Sequence, residues 1–294
     1  MSFNDGANIG SGKTSRRGRT GVALGGGGAL VVIGLFLLSQ FLGVDLTGLA
    51  GGAGDSGNSA SQELDQCKTG ADANANVDCL VKGTSAALDV YWVDEYPVLK
   101  AGSYHSPAGG VQLFSDSTST GCGTASSAVG PFYCPADQNI YLDTAFFTEL
   151  HDRFGASAGS LAQMYVIAHE WGHHIQNLDG VISRANDGDT GPGSNSVRLE
   201  LQADCYAGAW AGSASTVTDE GGVPFLKPVT ETQIKDALSA ASAVGDDRIQ
   251  GASGQVRPET WTHGSSTQRQ KWFLAGLYRG ATSCDTFAAS IGVL

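Results

Sequence analysis

Residues Met164–Gln176 read Met-Tyr-Val-Ile-Ala-His-Glu-Trp-Gly-His-His-Ile-Gln, an apolar lead-in that ends in His-Glu-x-x-His. The pattern predicts a helix capped near Ser160 and running to about Asn177. On such a helix His169 and His173 fall one turn apart on one face. Two imidazole nitrogens so placed can converge on one tetrahedral cation, for which zinc is the usual occupant. Glu170 projects from the same turn, where it can take a proton from a water acidified by that cation. The fold is thereby constrained: a second segment must bring a third ligand against this helix.

Glu200 and Asp204 supply the best candidates. They stand at i and i+4 in Val197-Arg198-Leu199-Glu200-Leu201-Gln202-Ala203-Asp204-Cys205-Tyr206-Ala207-Gly208-Ala209-Trp210, which reads as an otherwise apolar helix starting near Ser196. A carboxylate on a buried face is costly unless it is paired or metal-bound. Glu200 is therefore expected as the third ligand, and Asp204 as the acceptor for a free imidazole N–H. Asp179 is a rival ligand in the loop after the first helix, and the alternative reading of Glu200 and Asp204 is a pair of surface acids beside Arg198. His174 points about 100° away from His173 on a helix and reads as a packing residue, while His105 and His151 have no spacing relation to the motif. Thr262-His263-Gly264-Ser265-Ser266-Thr267-Gln268-Arg269 places a histidine just before a helix start. His263 suits a donor to a developing oxyanion, and Arg269 can orient it, pair with Asp204 or Glu200, or bind a substrate carbonyl.

The N-terminal fifth carries a different signal. Lys13, Arg16, Arg17 and Arg19 stand against Asp5 alone in residues 1–20, so the rest of the chain bears −15 of a total of −12. An acidic body argues against nucleic acid as a partner. Ala7 to Thr14 fits a relaxed phosphate-loop pattern, but no apolar strand precedes it, so the stretch reads as a disordered basic tail. Residues 21–44 are uncharged and strongly apolar, long enough as a helix to cross a bilayer core of roughly 30 Å. The flanking charges place the tail in the cytoplasm and the remainder outside. A cleaved signal segment ending near Ala53 competes with this anchor. Residues 45–62 read as a Gly/Ala/Ser-rich linker, and residues 63–294 as one folded domain.

All six cysteines follow the apolar segment. Outside the cytoplasm they are expected to pair, locally as Cys67–Cys79 and Cys122–Cys134, leaving Cys205–Cys284 to join distant helices. A core helix or helix–strand unit is expected at residues 79–101 and a helix at 143–153, and capping-box patterns at Thr230/Gln233 and Ser265/Gln268 open two more. Asn139–Asp143 alternates as a short strand. Such a strand upstream of the His-Glu-x-x-His helix can offer an open edge to an extended peptide, or it can be an ordinary member of a small sheet.

Taken together, His-Glu-Trp-Gly-His-His-Ile-Gln, Glu-Leu-Gln-Ala-Asp-Cys-Tyr-Ala-Gly and Thr-His-Gly-Ser-Ser-x-Gln-Arg resemble the bacterial neutral zinc metallopeptidases over about residues 60–290. The set is also similar to the membrane-bound CAAX-type endopeptidases, which are gluzincins, in Glu200-x-x-x-Asp204 and in His263 with Arg269. It departs from them in having Gly264 where they have proline, and in a single apolar segment. The resemblance implies a mostly helical, zincin-like α+β domain with a small sheet, preceded by one transmembrane helix. It implies zinc as cofactor, peptides or proteins as substrates, and a single-pass anchor in the cell membrane with the catalytic domain outside. A different class of function, a non-catalytic zinc-stabilised domain that binds envelope proteins or cell wall, would keep the metal and dispense with Glu170.

Overall fold

The chain enters the fold at its third residue. Phe3, Ala7 and Ile9 are fully buried, and β1 (Thr14–Arg17) follows at once. The computed structural model describes residues 2–17, 61–100, 102–185, 187–252 and 254–294. β2 (Ser61–Glu63) pairs antiparallel with β1, Arg17 lying opposite Ser61. α1 (Gly70–Ala75) opens on a Thr69/Asp72 capping box, and α2 (Val77–Leu99) on Asn76, whose side chain accepts the N–H groups of Asp78 and Cys79. Then come β3 (Val111–Phe114), β4 (Ser117–Thr120), β5 (Gly123–Ser126), β6 (Phe132–Cys134) and β7 (Asn139–Asp143). Six helices follow: α3 (Ala145–Asp152), α4 (Ser160–Leu178), α5 (Asn195–Ser213), α6 (Glu231–Ala243), α7 (Asp246–Ala252) and α8 (Ser266–Arg279).

The strands form a five-stranded mixed sheet in the order β2-β1-β3-β7-β6, with a separate β4-β5 hairpin. β1, β3 and β7 run parallel, and the two outer strands run against them. β7 therefore has both edges hydrogen-bonded, so of the two readings of this strand the ordinary sheet member holds and the open edge does not, and β6 takes the edge on that side.

Two expectations about the N-terminal region are overturned. Residues 2–17 are no disordered tail: the Asn4 N–H donates to the Phe225 carbonyl at 2.9 Å, and the Asn8 N–H to Asp219 at 2.7 Å. The composition of these residues is polar and glycine-rich, but their three apolar side chains all reach the core. The expected transmembrane helix, and with it a single-pass membrane location, is also not supported by the described residues. No helix among the described residues is long and apolar enough to cross a membrane. Residues 21–44 themselves lie outside the described residues, as does most of the expected linker. One crossing between Arg17 and Ser61 would leave the two segments on opposite faces of a bilayer, whereas they are neighbours in one sheet.

The helical half is built on α4 and α5, both buried on nearly all faces. Helices of this kind approach closely only where side chains are small. A methyl added to Gly208 on α5 would lie 2.0 Å from the Phe273 carbonyl oxygen, and one on Gly276 of α8 would lie 1.8 Å from that of Cys205. The Cys205–Cys284 disulfide ties α5 to the segment after α8, and Cys67–Cys79 and Cys122–Cys134 close the two local loops as expected. Thr230/Gln233 and Ser265/Gln268 are both formed capping boxes, whereas Ser160 is the first helical residue and Gly159 holds the cap position of α4.

Phe3→Ala should lower unfolding stability by about 3–5 kcal/mol, the usual cost of emptying a fully buried aromatic site. Urea denaturation followed by tryptophan fluorescence checks this. An unchanged midpoint would mean that residues 2–17 are not part of the folded unit.

Candidate metal centre

The facing surfaces of α4 and α5 bring three separated side chains together. His169 Nε2 lies 3.1 Å from Glu200 Oε2, and His173 Nε2 lies 3.5 Å from Glu200 Oε1. One ligand atom from each of His169, His173 and Glu200 falls within 4.8 Å of the others. Bonds of about 2.0–2.2 Å in a tetrahedron separate neighbouring ligand atoms by about 3.3–3.6 Å, close to the 3.1 and 3.5 Å between the histidines and Glu200, while the three atoms as a set spread to at most 4.8 Å. Gly172, an unspecified position of the motif, makes the approach possible. A methyl there would sit 2.9 Å from Ala203 Cα, between the turn that carries the histidines and the turn that carries Glu200 and Asp204.

Each imidazole is held through its other nitrogen. His169 Nδ1 donates to Asp204 Oδ1 at 2.9 Å, and His173 Nδ1 donates to Gln176 Oε1 at 2.8 Å. Both rings thus turn Nε2 toward Glu200. Asp204 is fully buried and receives Arg269 twice, from Nε at 2.8 Å and Nη2 at 2.9 Å, together with the Tyr165 hydroxyl. Arg269 also comes within 3.9 Å of Glu200.

The electrostatics favour a cation between the rings. Burial opposes a charge on His169, but Asp204 and Glu200 outweigh it and raise the imidazole to about 10. Glu200 is held well below the carboxylate range by both histidines despite its burial. A field that draws protons onto buried imidazoles attracts a dication for the same reason. Glu170 behaves in the opposite sense. Burial raises it above the carboxylate range, Glu200 adds to that, and the two histidines only partly compensate. No hydrogen bond to its carboxylate is made among the described residues.

His263 enters from the loop between α7 and α8, in electrostatic contact with Glu200. Its Nδ1 lies 3.1 Å from Asp246 Oδ1, while Asp246 Oδ2 accepts the N–H groups of Thr262, His263 and Gly264 at 2.7–2.9 Å. Gly264 has φ +86°, a backbone conformation closed to proline.

The remaining candidates go elsewhere. Asp179 faces Lys100 at 3.7 Å and is not in the cluster. His174 is buried, with Nδ1 on the Tyr133 hydroxyl and Nε2 donating to the His105 carbonyl. Tyr165, Gln176 and Asp246 were not singled out as site residues from the sequence. Tyr165 and Gln176 stand four before His169 and three after His173, a spacing that marks them in hindsight. Asp246 has no such signal, since it reaches His263 across 17 positions.

The sequence profile described as "Putative neutral zinc metallopeptidase" matches residues 3–287. The chain belongs to this family. An uncharacterized protein of Mycobacterium tuberculosis H37Rv is 53% identical over 231 residues, covering 78% of this chain and 76% of its own length. The uncharacterized protein YpfJ of Escherichia coli K12 is 38% identical over 277 residues, 90% of this chain and 88% of its own. No solved structure matches. Family membership supports, as a broad class, a zinc peptidase with peptide or protein substrates.

Burial opposes charge on both Asp246 and His263, yet their mutual contact holds the carboxyl below and the imidazole above their ordinary ranges. The raised imidazole adds stability that is complete below its unfolded value of about 6.5 and lost as pH climbs through the folded value. The lowered carboxyl adds stability that is complete above its unfolded value of about 3.9 and lost as pH falls through the folded one. In zinc-free protein the stability gap between wild type and Asp246→Asn should therefore be widest between about pH 4 and 6.5 and narrow on both sides. Urea midpoints across pH 3–9 measure it, and a constant gap would mean the two groups are not coupled.

Proposed function

We propose that this chain is a zinc-dependent endopeptidase in which His169, His173 and Glu200 hold the metal and Glu170 is the general base. The observation that carries this reading is the meeting of two imidazoles and a distant carboxylate beside a buried, proton-seeking Glu170. When bound, zinc would supply Lewis acidity, polarising a carbonyl oxygen and lowering the pKa of a water to about 7.

The protein groups divide the remaining work. Glu170 takes the proton from the attacking water, and its raised pKa suits it to hold that proton and return it to the leaving amine. His263, charged and fixed by Asp246, donates to the oxyanion that forms at the carbonyl. Arg269 acts through Asp204, setting the orientation of His169. The non-catalytic reading is disfavoured by the ligand count, because purely structural zinc sites are usually closed by four protein ligands. It also gives no reason for burying Glu170 beside the cluster.

Glu170→Gln should retain zinc at one equivalent while peptidase activity on a diverse peptide library falls by about 10²–10⁴-fold. Chelation of the wild type should abolish cleavage, and added zinc should restore it. A Glu170→Gln protein that cleaves at the wild-type rate would remove the proposed base.

A further inference from the structure

His173 stands at the end of a chain of amides that begins at a backbone carbonyl. Gln202, buried on α5, donates from Nε2 to the Cys284 carbonyl at 3.0 Å. Its Oε1 accepts from Gln176 Nε2 at 3.1 Å, and the same Gln176 nitrogen donates to the Leu199 carbonyl at 2.7 Å. Gln176 Oε1 then faces His173 Nδ1 at 2.8 Å. Gln176 is fully buried.

The direction of this chain has only one solution. A carbonyl oxygen cannot donate, so the Cys284 and Leu199 carbonyls require amide nitrogens facing them. The Cys284 carbonyl orients Gln202, and Gln202 together with Leu199 orients Gln176. An amide oxygen is then left for His173, and an oxygen of that kind accepts only from a protonated Nδ1. The lone pair of the neutral ring is thus forced onto Nε2, the nitrogen that faces Glu200. Cys284 is itself held to α5 by its disulfide with Cys205, so the relay starts from a fixed point.

We propose that Gln176 is a positioning residue, the last member of a one-way hydrogen-bond relay from Cys284 through Gln202 that locks His173 in its metal-binding tautomer. The two proposed histidine ligands are thereby held differently. His169 is fixed by an anion that Arg269 balances, and His173 by a neutral amide whose polarity is dictated by the Leu199 carbonyl and, through Gln202, by that of Cys284. Gln176 also bridges α4 to the Leu199 carbonyl, one residue before Glu200, so one side chain sets both a ring and the separation of the ligand-bearing helices.

The inference rests on the metal-centre reading above but not on turnover. Gln176→Met keeps the volume and removes the acceptor, and Gln202→Met breaks the relay one step earlier. Zinc affinity is read by competition with a chromogenic chelator, and the His173 tautomer by long-range ¹H–¹⁵N NMR of zinc-free protein. Gln176→Met should weaken zinc binding about 10–100-fold, as loss of a partner to a ligating histidine does, with a smaller loss for Gln202→Met. Wild-type His173 should carry its proton on Nδ1 when neutral. Should Gln176→Met fail to fold, Gln202→Met and the wild-type tautomer still decide. Unchanged affinity in the folded variants, or a neutral wild-type ring protonated on Nε2, overturns the relay. Loss of cleavage with affinity intact would instead bear on the catalytic roles of Glu170 and His263.

Discussion

The buried pair of Asp204 and Arg269 is the interaction on which the rest depends. Neither charge reaches solvent to any extent, and a buried ion is tolerated only when its partners are fully supplied. Both Asp204 oxygens are used by the guanidinium, and one also takes the Tyr165 hydroxyl and the His169 ring. Four groups from three helices are thereby fixed relative to one another. The glycine contacts allow this: Gly208 and Gly276 let α8 reach α5 at backbone distance, and Gly172 lets α4 do the same. Removing one member of the pair would leave the other charge stranded in the core, so the network is stable only when complete.

The parts of this arrangement that were legible in the sequence share one property: their residues lie at helical spacing or in a cap. His169, Glu170 and His173 are set by one turn of helix, Glu200 and Asp204 by another, and Ser265/Gln268 by a capping box. Two cysteine pairs followed from locality, and Cys205–Cys284 as what they left over. What stayed hidden depends on contacts without local periodicity. Residues 2–17 are polar and glycine-rich, and their three core side chains are too few and too irregularly spaced to suggest a strand-forming arm. Their role is decided by β3, 97 positions later in the register. Asp246 likewise acquires meaning only when the chain returns to place His263 against it.

The position of β1 also explains why the single-span reading failed. Hydropathy is a property of a segment, whereas sidedness is a property of its two flanks. The flanks of residues 18–60 meet as antiparallel neighbours, so both belong to the same unit whatever the intervening sequence does. Charge asymmetry, the usual guide to orientation, cannot apply where the basic residues are themselves built into the sheet: Arg16 is paired with Asp78 and Arg17 with Tyr141 and the Ser119 carbonyl.

Charge bookkeeping around His169, His173 and Glu200 suits the dication proposed above. Arg269 balances Asp204, which leaves the Glu170 and Glu200 carboxylates facing two imidazoles that are neutral when they ligate. A dication restores neutrality without any proton. Protons can do the same, because each of these ring nitrogens faces an acceptor oxygen, and His169 accordingly holds its proton far above the ordinary range. Metal and protons would therefore compete for the same ring nitrogens. The division of labour between the two rings follows. A second anion behind His173 would tip the balance back toward protonation, whereas the neutral Gln176 amide fixes that ring and adds no charge.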